Sequence, residues 1–95
     1  MANVIDSATA LSLVKTRLNR LPWDTSLDDM LLKRIDSAEQ QLIAIGINLT
    51  DSTRDLMLVV DYAVWQYQNR DKPGNMPQWL RVARFERWLE SGVTG

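Results

Sequence analysis

From Leu56 to Trp65 the chain reads Leu-Met-Leu-Val-Val-Asp-Tyr-Ala-Val-Trp, and only Asp61 interrupts the apolar run. At helical spacing Leu56, Val60, Ala63 and Tyr67 share one narrow face. Leu58, Tyr62 and Trp65 lie on a second face, roughly opposite, with Met57, Val59 and Val64 on the flanks. A helix apolar on almost every side must be covered on almost every side. In 95 residues that leaves two arrangements: a helix at the centre of its own domain, or one whose second face a neighbouring subunit covers. The second makes Leu58, Tyr62 and Trp65 candidates for a subunit interface. The tryptophans Trp23, Trp65, Trp79 and Trp88 point the same way, because Trp is enriched at interface hot spots.

The rest of the chain also reads as helix. Ser7 reads as the N-cap of a first helix over 8–19, with Ala10, Leu11, Val14, Leu18 and Leu21 on one side. Pro22 ends it by disfavouring helical backbone at Leu21. Ser26 followed by Asp29 resembles a capping box for a second helix over 26–45. Its stripe is Leu27, Leu31, Ile35, Ala38, Leu42 and Ile45, and Gly46 stands where a left-handed cap belongs. Ser52 and Asp55 repeat the cap pattern for the third helix over 52–69. Pro73-Gly74 within 71–75 has the order of a type II turn. A shorter fourth helix over 77–89 follows, with Pro77 in its first turn and residues from about 90 to 95 as a flexible tail. The expectation is one all-α domain over 1–95, a small bundle of three main helices and a shorter C-terminal one.

Composition narrows the function. The chain has no cysteine and no histidine, which removes thiolate metal sites, cysteine nucleophiles, and the commonest general base and metal ligand. No cofactor or metal is expected. Eleven basic against twelve acidic residues leave a net charge of −1, which draws the whole chain to neither nucleic acid nor an anionic membrane. No apolar run approaches a membrane span, and Met1–Asp6 lacks the features of a signal peptide. The Asn48-Leu49-Thr50 triplet reads as a chance match to a glycosylation site, and synthesis is expected in the cytoplasm. Asp28, Asp29, Asp51 and Asp55 stand at helix starts, where capping accounts for them. The glycines are scattered at 46, 74, 92 and 95, so no phosphate-binding loop exists. No constellation for catalysis emerges, and an enzyme is not expected.

The fourth helix carries Arg81, Arg84 and Arg87 every three residues, a sweep of only about 120° of the helical wheel. Trp79, Phe85 and Trp88 accompany them. Arginine beside aromatic anchors is the composition of a protein-docking surface, and all six are candidates for contact with a partner. A solvated basic face is the plain alternative.

Ala63-Val64-Trp65-Gln66-Tyr67-Gln68-Asn69-Arg70-Asp71, ending a long apolar helix, resembles the end of the third helix in phage head–tail connector (adaptor) proteins. The order of elements over about 8–71 resembles theirs too, while 72–95 match only loosely. The resemblance implies a structural virion protein, not an enzyme, assembled in the host cytoplasm. It implies a cyclic homo-oligomer, typically a dodecamer, beneath the portal protein at the head–tail interface. Such a ring extends the DNA channel and docks the next neck, stopper or tail protein, and DNA only passes through. A ring needs two different sticky faces per subunit, and the twice-apolar third helix is a source for one.

A competing class is a small helical DNA-binding or regulatory interaction module. It requires a recognition helix rich in Arg, Lys, Asn and Gln beside a tight turn. The fourth helix is the one candidate, and its aromatic content makes it more a docking helix than a groove reader.

Overall fold

The computed structural model describes residues 5–71 and 74–93, the side chain of Val93 excepted. Among these residues the chain is all-helical: α1 (Ser7–Arg17), α2 (Asp28–Ala44), α3 (Thr53–Gln68) and α4 (Gln78–Val93). The turn expected over 71–75 includes Lys72 and Pro73, which lie outside the described residues, as do Thr94 and Gly95 of the expected tail.

Each helix end has a local cause. Asp6, not Ser7, caps α1: its carboxylate accepts from the Ala8 N–H at 3.2 Å and from the Thr9 hydroxyl at 2.7 Å. At the other end Asn19 takes a left-handed conformation, φ 59°. The N–H groups of Asn19 and Arg20 then reach back to the Thr16 and Lys15 carbonyls, the bonding pattern of a Schellman motif. The end of α2 repeats it with Gly46 at φ 108°, the Gly46 N–H bonding to Ile43 and that of Ile47 to Leu42. A side chain at φ near +108° clashes with its own backbone, so glycine belongs there.

The expected capping box at Ser26 does not form. Helix α2 starts two residues later, and Leu27 at its cap position makes no side-chain cap bond. The N–H and hydroxyl of Ser26 instead both donate to Asp24 Oδ1, at 3.0 and 2.7 Å. A local Asx turn has outcompeted the helix for those groups. At α3 the Ser52 hydroxyl does accept from the Asp55 N–H, at 3.2 Å. Helix α4 outlasts its expected end at Leu89, running through Val93 over 16 residues, and Ser91 is buried in place of fraying.

The third helix is central. It packs against α1, α2 and α4, whereas α4 packs against α3 alone among the helices. The core gathers Val14 of α1, Leu31, Ile35 and Leu42 of α2, Val59, Val60 and Ala63 of α3, and Leu80 of α4. Even Asp61, the break in the apolar run, is used: it pairs with Arg17 of α1.

This centrality corrects, for Leu58 and Tyr62, the reading of a face left for a neighbouring subunit. Leu58 is 6% and Tyr62 8% exposed. Trp65 is half-buried against the core and stacks on Tyr62, with ring centroids 5.9 Å apart. Three helices pack on α3, so Leu58 and Tyr62 are covered from within their own chain, while Trp65 keeps an exposed part.

Candidate docking surface on the fourth helix

Helix α4 carries two stripes on opposite sides. Leu80, Ala83, Arg87 and Ser91 recur at i, i+3, i+7 and i+11, which keeps them on one side of a 3.6-residue helix. Leu80 and Ser91 are buried, and Ala83 and Arg87 are half-buried. On the far side Val82, Phe85 and Leu89 recur at i, i+3 and i+7, and all three are exposed. Arg81, Arg84 and Trp88 flank them. A single surface helix usually carries one apolar stripe. This one carries a second that stays exposed among the described residues.

The inward stripe is held by a polar knot. Arg87 Nε donates to Asp55 Oδ1 at 2.7 Å and its Nη2 to Asp55 Oδ2 at 3.0 Å. Nη1 donates to the Ser91 hydroxyl at 2.9 Å, and Nη2 also donates to the Asn48 carbonyl. Ser91 Oγ in turn accepts from the Asn48 N–H at 2.9 Å. Asp55 Oδ2 accepts from the N–H and the hydroxyl of Thr50, at 2.7 and 2.8 Å. The α2–α3 connector, the start of α3 and the end of α4 are thus tied at one point. The pair is bidentate and well enclosed, the Arg87 side chain 11% and the Asp55 side chain 1% exposed.

Burial pushes the Asp55 carboxyl up. The hydrogen bonds from Arg87 and Thr50, with the guanidinium charge, outweigh burial and hold its pKa below the ordinary carboxylate value. Its hydrogen bonds to Asp55 raise Arg87, against its own desolvation. Close by at the surface, Arg54 of α3 and Glu90 of α4 form a second two-bonded pair, at 2.6 and 2.7 Å.

Arg87 therefore leaves the set of docking candidates. A three-residue step falls 60° short of a full turn. Two such steps from Arg81 swing Arg87 onto the core side. Asp55 likewise does more than cap: its backbone N–H serves the cap while its carboxylate holds Arg87. The sequence held one signal for this, an acid at a helix start and an arginine in register with Leu80 and Ala83.

Of the other docking candidates Arg84, Phe85 and Trp88 come together, and Trp79 and Arg81 do not line their groove. Trp79 is 58% and Phe85 56% exposed, and Trp88 also reaches solvent. The Phe85 and Trp88 rings stack with centroids 5.9 Å apart. With Arg84 and Ile45, the exposed residue after α2, they line an open groove of about 370 Å³. Arg81 is exposed and Arg84 half-buried. Ile45 extends the apolar surface beyond α4.

No group of three or more His, Cys, Asp or Glu side chains able to hold a metal occurs among the described residues. No helix among them is long and apolar enough to cross a membrane. Comparison of the chain with protein-family models, curated proteins and solved structures returns no match.

Proposed function

We propose that this chain is a structural adaptor subunit of the phage head–tail connector kind. It assembles as a ring beneath a portal, lines the DNA channel, and offers a docking surface to the next neck or tail protein. The observation that carries the reading is the second, uncovered apolar stripe of α4, with stacked Phe85 and Trp88 beside Arg81 and Arg84. Aromatic anchors next to arginine favour protein contact, and arginines at the rim steer association. The near-neutral chain suits a conduit through which DNA slides.

The DNA-reading alternative is weaker on the same surface. With Arg87 engaged by Asp55, only Arg81 and Arg84 remain on that side of α4, too few cations for appreciable phosphate binding.

The test is attachment of the full chain to portal-bearing capsids, comparing wild type with the triple variant Arg81→Ser, Arg84→Ser, Phe85→Ser. Helix content should be unchanged, since none of the three is buried. Attachment should be lost in the variant and should weaken with salt in the wild type. Unchanged attachment by a folded variant refutes the docking role.

A further inference from the structure

Helix α4 buries the poorer of its two apolar stripes. Among its described side chains Leu80 alone is large, apolar and fully buried, and Ala83 packs partly buried one turn further on. Val82, Phe85 and Leu89 on the other side are 45%, 56% and 42% exposed. A surface helix seated by apolar burial alone turns its richer stripe inward. The seat of α4 is therefore chosen by its polar contacts. These are the two bonds from Arg87 to Asp55, the bonds of Arg87 and Ser91 to Asn48, and the exposed Arg54–Glu90 pair.

Apolar packing along the α3–α4 seam is thin. A cleft of about 130 Å³ opens there beside Leu58 and Ala83, and atoms lining such a gap lack partners across it. The other helices close on one another without α4. Helices α1, α2 and α3 each pack on both of the others, whereas α4 packs on α3 alone. Val14, Leu31, Ile35, Leu42, Val59 and Val60 of the core all belong to these three. Lifting α4 away thus gives up one buried leucine and a set of polar contacts, and leaves most of the core in place.

We propose that α4 is a detachable arm. It leaves α3 and returns while α1, α2 and α3 stay folded, and the Arg87–Asp55 pair is the latch that sets how often. The arm has 16 residues, near the length of about 12–15 below which isolated helices are marginal in water. Its Trp, Phe and Val residues are poorer helix formers than Ala, so it loses helix on leaving and regains it on seating. The docking stripe of the adaptor reading then rides on an element that can leave the body of the domain. Detachment itself rests on the seam alone.

The chain has no cysteine, so single thiol reporters can be placed in the full chain. Leu80→Cys and Ser91→Cys stand near opposite ends of α4 and Ala38→Cys in the core of α2, all at buried positions. The reporters at 80 and 91 should be labelled at similar rates, about a hundredfold or more faster than the one at 38. Their labelling should also depend less steeply on urea, because a local opening exposes less surface. Adding Asp55→Asn keeps the size of the side chain and removes its charge. It should speed labelling at 80 and 91 by about tenfold or more. Amide exchange at Leu80 and Leu89 in the unsubstituted chain reads the same opening, so damage by a reporter does not imitate it. One rate and one urea slope at all three positions would mean that α4 opens only with the whole domain. Labelling confined to 91 would mean that the helix end frays. Either result overturns the arm, and unchanged rates with Asp55→Asn overturn the latch. Labelling is read on the free chain, so its outcome is separate from capsid attachment, which tests the adaptor reading.

Discussion

At Arg87 four hydrogen bonds converge on one guanidinium, and removing it leaves a buried carboxylate without its counter-charge. Arg87→Ala should cost about 3 kcal/mol at pH 7, as expected when one partner of a buried pair is lost. The double variant Asp55→Asn, Arg87→Met should recover part of that, since no charge is then left buried. Urea unfolding of the three proteins measures both effects. The pH dependence has a definite sign. Because the folded-state pKa of Asp55 lies below the ordinary 3.8, its contribution is fully present above that value. It is lost as pH falls from about 4 through the lower folded-state value. In Arg87→Ala only the Thr50 hydrogen bonds still oppose the burial of Asp55, so acid should narrow the gap between variant and wild type. Gly46 offers a second residue-scale test. Its φ of 108° and the 3.2 Å separation between an added Cβ and Trp88 Nε1 make Gly46→Ala destabilising by about 1 kcal/mol or more.

Among the elements α4 is the least secured, because it packs on α3 alone among the helices. Its anchorage is Leu80, Ala83 and the Arg87 knot. Leu80 is buried, so Leu80→Ala should cost about 2–5 kcal/mol. Exposed Leu89 lies on the opposite stripe, and Leu89→Ala should change stability by about 0.5 kcal/mol or less. The same chemical change on two sides of one helix, read by urea unfolding, separates core stripe from docking stripe. Helix periodicity made all four helices legible, since Leu31, Ile35, Ala38 and Leu42 repeat as a single stripe and are all buried. Their starts were less legible. Asp6 took the cap assigned to Ser7, and Ser26 turned to Asp24, because neighbouring polar residues compete for the same backbone N–H groups at almost equal energy.

At the scale of the whole molecule, α3 touches every other helix, so its opening requires the domain to come apart. Native-state hydrogen exchange should show the amides of Val59, Val60 and Ala63 exchanging only by global unfolding. The amides of α4 should exchange through a cheaper local opening. Equal protection in α3 and α4 would mean that the Arg87 knot couples α4 to the domain as firmly as the core does.

Legible in the residues alone are the number and order of the helices, the glycine that closes the second, and the aromatic and arginine content of the fourth. These follow from spacing and backbone preference, which act within a few residues. Two decisions needed the tertiary structure. One was that Leu58 and Tyr62 are covered by their own chain, which depends on three other helices reaching all sides of α3. The other was which of the two apolar stripes of α4 turns inward. Periodicity fixes the angles between side chains on one helix but not the rotation of that helix about its axis. Here the rotation is set by partners distant in sequence: Asp55, Asn48 and the central helix place Arg87 inside, and Phe85 and Trp88 are left on the surface.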